Sequence, residues 1–449
     1  MKIKKLHLKN FRCFEDFEIE FNTGDEEHGG LTVLVAKNGE GKTAILDAIN
    51  IAWGLFFRKM PQTKGAIFNK EDCKNSNDAK AMMSYGYTSL SSSFISPYEN
   101  KSINIARECY WDKNGKARTS VKDGKELEDF ARTCLDLRFN NDFLMPLLAY
   151  YGDDRLWSEQ LKEEESKAVL YQDRAMGYVG ANNRKSGFKT FYKWYIDLWK
   201  SLIDQQIKQM GGKVSFNAEA LRYYQVLNEL LSHAISTALN VTGWNQLDYD
   251  NGEKVLYVLN TVTKGKADIH SLSAGNRIVL GVVGDLVHRC SVLNPHAGLE
   301  TLNKTPGIVL IDEIELHLHP SWQQQILPTL QKIFPRIQFI VTTHSPQVVS
   351  SVPKECVRII SDGKVEPLYS QTQGVESQDI LAEIFGTDPA PQDDEYVQKL
   401  NRYATLEAEG MADTEEGKKL YGFLVEHYGK NYSPLMQIQI LKEFANKNR

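Results

Sequence analysis

The stretch Ala36-Lys37-Asn38-Gly39-Glu40-Gly41-Lys42-Thr43-Ala44 has the make-up of a loop that holds phosphate. Gly39 and Gly41 permit backbone turns that point successive N–H groups inward, and the start of a helix adds its positive dipole end. Lys42 supplies a point charge for the β- and γ-phosphates, and Thr43 a hydroxyl for Mg²⁺. Ala36 stands where the strict pattern has its first glycine. The nucleotide-binding residues expected here are Lys37, Asn38, Gly39, Glu40, Gly41, Lys42, Thr43 and Ala44, with ATP as ligand.

Three further segments carry complementary chemistry. Gly307-Ile-Val-Leu-Ile-Asp312-Glu313 is an apolar run ending in two carboxylates. Asp312 is the expected second metal ligand beside Thr43, and Glu313 the group that orients and deprotonates a water. Paired acids at a strand end also occur as solvated turn residues; downstream of a phosphate loop they read as catalytic. Ser271-Leu-Ser273-Ala-Gly275-Asn276-Arg277 opens an amphipathic helix. Alone it is a good helix cap, but its hydroxyl, backbone N–H groups and dipole also suit a γ-phosphate. Val341-Thr-Thr-His344-Ser-Pro follows another apolar run and sets His344 as a second catalytic candidate. The pair His317 and His319 suggests a metal at first glance; directly after the acids it reads instead as part of a subunit seam.

The elements that must position these residues are legible in the hydrophobic pattern. Residues 2–9 and 15–21 alternate as half-buried antiparallel strands. Leu31–Ala36 is apolar throughout, as a strand buried on both faces is. Strand, glycine loop and helix in succession give the phosphate motif its context. Residues 60–100 lose periodicity and predict a surface loop or insertion. Hairpins are expected at about 102–122, turning on Asn114-Gly115, around Asn251-Gly252, and at Cys356–Tyr369 on Asp362-Gly363. The region from about 157 to 240 is helical, with Phe188, Phe191, Tyr192, Tyr195, Leu198, Trp199, Leu202 and Ile203 forming one apolar stripe. A further helix starts near Ser321, and the chain is helical after about 374.

Composition narrows the class. The 449 residues include 42% hydrophobic side chains and carry a net charge of −5. That is ample for a large core, and it does not mark a general nucleic-acid binder. No run of apolar residues reaches a membrane span, so no membrane association is expected. The six cysteines form no CxxC pair and are read as reduced thiols of a cytoplasmic protein, without a zinc site.

In this order, the phosphate loop, the Leu-Ser-Ala-Gly-Asn segment, the acidic strand end and the histidine resemble the ABC ATPase superfamily. The opening Leu8-Lys-Asn-Phe-Arg12-Cys-Phe is similar to its RecF/SMC/OLD branch, where the arginine lies near the nucleotide. The resemblance implies an α/β fold: an ABC ATPase head with a RecA-like P-loop core and N-terminal antiparallel strands, plus a largely helical insertion and a helical C-terminal tail. The corresponding division is 1–150 for the N-terminal ATPase lobe and 151–265 for a helical subdomain. It continues with 266–372 for the C-terminal lobe and 373–449 for a helical, partner-binding region. The resemblance also implies ATP and Mg²⁺ as cofactors and slow hydrolysis. Ser273, Gly275 and Asn276 would cap the nucleotide of a second copy, giving a homodimer and possibly a higher oligomer.

The segment Leu148 to Trp157 resembles the Tyr-Tyr-Gly…Arg-Leu-Trp motif of prokaryotic AAA-type defence ATPases, with no match to the family's Q-loop glutamine. Arg155 is either a nucleotide-site residue or an ordinary surface ion pair. Length, this motif and the tail from about Ile380 are most similar to the ATPase subunit of Septu anti-phage systems. That likeness implies a separately encoded effector, an HNH-type nuclease, with nucleic acid reached through the complex. Two alternatives stand beside it: a RecF/SMC-like DNA-repair ATPase, and the ATPase half of a Toprim-effector defence system.

Overall fold

The computed structural model describes residues 1–72, 86–96, 102–111, 117–153, 173–184, 189–211, 215–388 and 390–447. Two compact units divide the chain, Met1–Ser377 and Gln378–Arg449.

The first unit is organised around a six-stranded sheet. Its strands are β3 (Leu31–Ala36), β7 (Leu147–Tyr151), β11 (Gly307–Ile311), β12 (Ile337–Thr343), β13 (Val357–Ser361) and β14 (Lys364–Glu366), in the order β14-β13-β3-β12-β11-β7. The five longer strands run parallel, with Val309 opposite both Phe339 and Ala149 and Val341 opposite Val33. Every residue of β3, β7, β11 and β12 is buried. Two-sided burial explains why these segments read as unbroken apolar runs rather than alternating ones. Helix α1 (Lys42–Phe57) follows β3 and is buried along nearly its whole length.

A second sheet is antiparallel: β1 (Lys2–Phe11), β2 (Phe14–Glu20), β4 (Gly86–Ile95), β5 (Ser102–Trp111) and β6 (Ala117–Asp123), ordered β2-β1-β4-β5-β6. Here the structure corrects the sequence reading, because part of the expected 60–100 loop is the central strand β4. Thr88, Leu90, Ser92 and Phe94 point inward, and hydroxyl side chains at two of those four positions hide the alternation. The hairpin expected at 102–122 forms, while its Asn114-Gly115 turn lies outside the described residues.

Helix α2 (Lys125–Asp136) leads back to β7. Two long helices, α3 (Lys189–Met210) and α4 (Ala218–Ala238), occupy the middle of the chain. Of the expected aromatic stripe, Phe191, Tyr192, Tyr195 and Leu198 are buried in α3, Trp199, Leu202 and Ile203 are half-buried, and Phe188 lies outside the described residues. A small sheet, β8 (Gln246–Asp250), β9 (Val255–Asn260) and β10 (Gly265–Asp268), contains the expected hairpin at Asn251-Gly252. It feeds α5 (Ala274–Leu293). The last hairpin is shorter than expected: β14 stops at Glu366, and Tyr369 is exposed. The helix near Ser321 comes as two short pieces, Pro320–Gln323 and Ile326–Ile333.

In the second unit, helices Glu395–Ala408, Glu415–Tyr428 and Ser433–Lys447 pack around Tyr403, Ala412, Leu424 and Leu435. The carboxylate of Asp394 accepts from the N–H groups of Tyr396 and Val397 and so caps the first of these helices. Cys109, Cys134, Cys290 and Cys356 are buried free thiols, and Cys13 is exposed.

Candidate nucleotide site

Parallel pairing places the C-terminal ends of β3, β12, β11 and β7 along one edge of the sheet, so the segments after each strand converge there. β3 delivers the phosphate loop, β11 the acidic pair, β12 the histidine and β7 the residues Gly152 and Asp153.

The loop adopts left-handed backbone at Gly39 (φ 86°) and Gly41 (φ 94°). At Gly41 a side chain is also excluded, since a Cβ would stand 2.5 Å from both Cys13 Sγ and the Phe14 ring. Lys37 and Asn38 are exposed at the tip. Glu40 accepts a hydrogen bond from the N–H of Asp362, tying the loop to the β13–β14 turn at 3.0 Å. Lys42 is buried, and its Nζ donates back to the carbonyl of Ala36 at 2.9 Å. Burial lowers its pKa, while Asp312, Glu313 and Glu315 favour the charged form. Ala44 is buried in the first turn of α1.

Thr43 Oγ1 donates to Asp312 Oδ2 at 2.8 Å, so the two expected metal ligands meet in space. The other Asp312 oxygen accepts from Thr342 Oγ1 at 2.6 Å. The Thr342 hydroxyl in turn accepts from the backbone N–H of Glu313 at 2.7 Å. This bond holds Glu313 in a left-handed conformation, φ 45°, which ordinary residues seldom adopt. Partial burial, then the neighbouring charges of Glu315 and Asp312, raise the Glu313 pKa above its ordinary 4.5. His344 donates its backbone N–H to Glu315, and burial followed by Lys42 lowers its imidazole pKa.

Around the first turns of α1 the expected Arg12 joins a set of charged groups that the motifs did not announce. Asp47 accepts from Arg12 at 2.6 Å, from Arg184 at 3.2 Å and from the Tyr150 hydroxyl at 2.8 Å. Arg12, in a left-handed turn between β1 and β2, also pairs with buried Asp72 at 2.8 Å. Arg184 reaches Asp153 at 2.8 Å and Asp312 at 3.5 Å. Thr342 had a visible signal, a polar residue closing a buried strand. Arg184 had none, because it lies in a turn remote in sequence from every motif. Arg155 lies outside the described residues.

Ser273, Gly275 and Asn276 are placed differently. The Ser273 hydroxyl accepts from the N–H of Asn276 at 3.3 Å and caps α5. A Cβ on Gly275 would meet the His317 carbonyl at 2.8 Å, so the helix start packs on the segment after β11 rather than on the phosphate loop. Deeper in α5, Asp285 accepts from Arg289 and from the Tyr151 hydroxyl, each at 2.7 Å. This buried trio fastens the helix to the end of β7. Among the described residues no group of three or more His, Cys, Asp or Glu side chains is arranged to hold a metal alone, His317 and His319 included.

A phosphate loop, an acidic strand end and a histidine gathered at the edge of a parallel sheet define a P-loop ATPase of ABC type. An AAA-domain family model matches residues 5–230, and a second AAA-domain model, described as a putative AbiEii toxin of a type IV toxin–antitoxin system, matches residues 181–350. The chain belongs to this AAA/ABC ATPase family, in its RecF/SMC/OLD branch. Retron Ec83 probable ATPase of Escherichia coli is 27% identical over 98% of this chain and 86% of its own length. Retron Vc95 probable ATPase of Vibrio cholerae is 26% identical over 94% of this chain and 86% of its own. Septu protein PtuA of Bacillus thuringiensis is 26% identical over 36% of this chain and 42% of its own. Among the described residues no helix is long and apolar enough to cross a membrane.

Proposed function

We propose that the chain binds Mg²⁺·ATP at this edge and hydrolyses it slowly between two copies of itself, controlling a separately encoded effector in anti-phage defence. The observation that carries the reading is the Thr43–Asp312 contact at 2.8 Å with Glu313 bonded to the same Thr342. Thr43 and Asp312 present the hard oxygen ligands that Mg²⁺ prefers, and phosphate and water would complete its shell. Bound there, the ion offsets phosphate charge.

The loop N–H groups and Lys42 orient the phosphates. Glu313, its pKa raised by burial and by Glu315, takes a proton from the attacking water as the bond from the γ-phosphorus to the bridging oxygen breaks. His344 faces the same phosphate. In this reading Arg12 supports the loop from behind through Asp47. Ser273, Gly275 and Asn276 act on the nucleotide of the second copy, a role supported by the resemblance of their segment to the ABC signature. The regions 1–150 and 266–372 form the ATPase lobes, 151–265 the helical subdomain, and 373–449 the surface for the effector, an HNH-type nuclease. Kinship with retron and Septu proteins supports the defence role and a cytoplasmic setting. Contact with nucleic acid belongs to the complex.

The test is Glu313→Gln. Steady-state phosphate release should fall at least about 100-fold, as for loss of a general base. ATP binding persists, and light scattering finds a dimer that accumulates with ATP. Hydrolysis at the wild-type rate removes Glu313 from the chemistry, and a variant that stays monomeric with ATP bound removes the two-copy site.

A further inference from the structure

The geometry points to Arg184 as a positioning residue that competes with the metal for Asp312; this rests on the Mg²⁺·ATP reading above. Its guanidinium is shared by three carboxylates that belong to three different elements. Asp47 lies in α1, Asp153 follows β7, and Asp312 follows β11, at 3.2, 2.8 and 3.5 Å respectively. Asp312 is almost fully buried, whereas the Arg184 side chain is about one-third exposed. A cation placed there neutralises a set of acids that would otherwise repel one another.

The contacts are graded. Asp153 is the close partner and Asp312 the distant one, so Asp312 is the carboxylate that Arg184 releases most readily. The oxygen concerned is Asp312 Oδ2, the same atom that accepts from Thr43. A divalent ion taking that oxygen brings two positive charges against the guanidinium, and like charges at such separations repel. Metal entry and the Arg184–Asp312 contact therefore exclude each other, while Asp153 and Asp47 retain the side chain.

Release has a structural consequence through the backbone of the same turn. The N–H of Gly152 donates to the Arg184 carbonyl at 3.1 Å, and the N–H of Tyr150 donates to Ala181 at 2.8 Å. Asn182 donates to Lys64 at 2.7 Å and accepts from Asn50 at 3.1 Å. The segment 181–184 is thus a short brace on the edge of β7. Arg184 links the state of Asp312 to that brace.

The measurement is a Mg²⁺ titration of the affinity for a fluorescent ATP analogue, starting in EDTA, on the full-length chain. In wild type, the Mg²⁺ concentration that half-maximally tightens binding includes the cost of displacing Arg184. In Arg184→Ala that midpoint should fall at least about threefold, the scale of a partly exposed ion pair. Arg184→Lys, which keeps the charge without the fork, should fall in between, and affinity in EDTA should stay within about twofold. A midpoint that is unchanged or higher in Arg184→Ala overturns the inference, and so does equal weakening with and without Mg²⁺, the mark of a purely structural role. Asp153→Asn loosens the anchor without touching the metal ligands and should raise the midpoint; a fall would equally overturn it. If wild type binds no analogue at any Mg²⁺ concentration, the ATP reading itself fails, a different result from any of these.

Discussion

Replacing Thr342 with valine removes one hydroxyl that serves both acids of the site. Thr342 is fully buried at the end of β12, and valine keeps its shape, so the backbone has no steric reason to move. The hydroxyl donates to the Asp312 carboxylate at 2.6 Å and accepts from the Glu313 N–H at 2.7 Å. A hydrogen bond to a charged group contributes about 1.5–3 kcal/mol, and a part-buried N–H left unsatisfied costs about 1–3 kcal/mol. Because the two terms share one atom, we take about 3 kcal/mol for the pair rather than their upper sum. Glu313 also loses the bond that holds its left-handed backbone, a conformation costing about 1–2 kcal/mol in a residue with a side chain. It then relaxes away from the position where it faces a water. If half of the loss is felt in the transition state, kcat falls roughly tenfold. Neither the Lys42 contacts nor the loop N–H groups involve Thr342, so nucleotide affinity measured without Mg²⁺ should hold within about twofold. The assays are urea unfolding, phosphate release and binding of a fluorescent ATP analogue. Wild-type turnover with an unchanged unfolding midpoint would refute the positioning role. Affinity that weakens as much as kcat would place the hydroxyl in ground-state binding instead.

Gly41→Ala combines a left-handed φ with a collision against Phe14, so we expect ATP-analogue binding to drop below detection while the far-ultraviolet circular dichroism spectrum stays native. Asp285→Asn leaves the Arg289 charge unpaired in the core and should lower stability by about 3–5 kcal/mol in urea unfolding at neutral pH. That difference depends on pH in a defined direction. Arg289 and His288 hold the Asp285 carboxyl well below its ordinary 3.8 against the opposing effect of burial, so its contribution is complete above about pH 4 and shrinks as pH falls through the folded-state value. Wild-type and variant unfolding free energies should therefore run parallel from pH 8 to about pH 5 and converge below pH 4.

The residues of the candidate site were marked locally. A phosphate loop works through consecutive residues, so Gly39, Gly41, Lys42 and Thr43 are recognisable without knowing what surrounds them. The acids Asp312 and Glu313 and the histidine at 344 were legible because each closes an apolar run, and a strand buried on both faces leaves few polar positions. Two-sided burial likewise made β3, β11 and β12 visible, whereas β7, equally buried, was read only as part of the Leu148–Trp157 motif. Where burial is one-sided and met by hydroxyls, as at Thr88 and Ser92 in β4, the pattern failed and a central strand read as loop.

What the sequence could not contain was the convergence itself. The parallel register of β3, β12, β11 and β7 brings Thr43 against Asp312 and sets Thr342 between Asp312 and Glu313. Arg184 joins Asp47, Asp153 and Asp312 only because a turn distant in the chain lies along the edge of β7. Ion pairs of this kind depend on separations of about 3 Å between side chains from different elements, and no local spacing encodes them. Ser273 and Gly275 show the same division: the residues were readable as a helix start suited to phosphate, and the close approach of Gly275 to the His317 carbonyl was decided by packing.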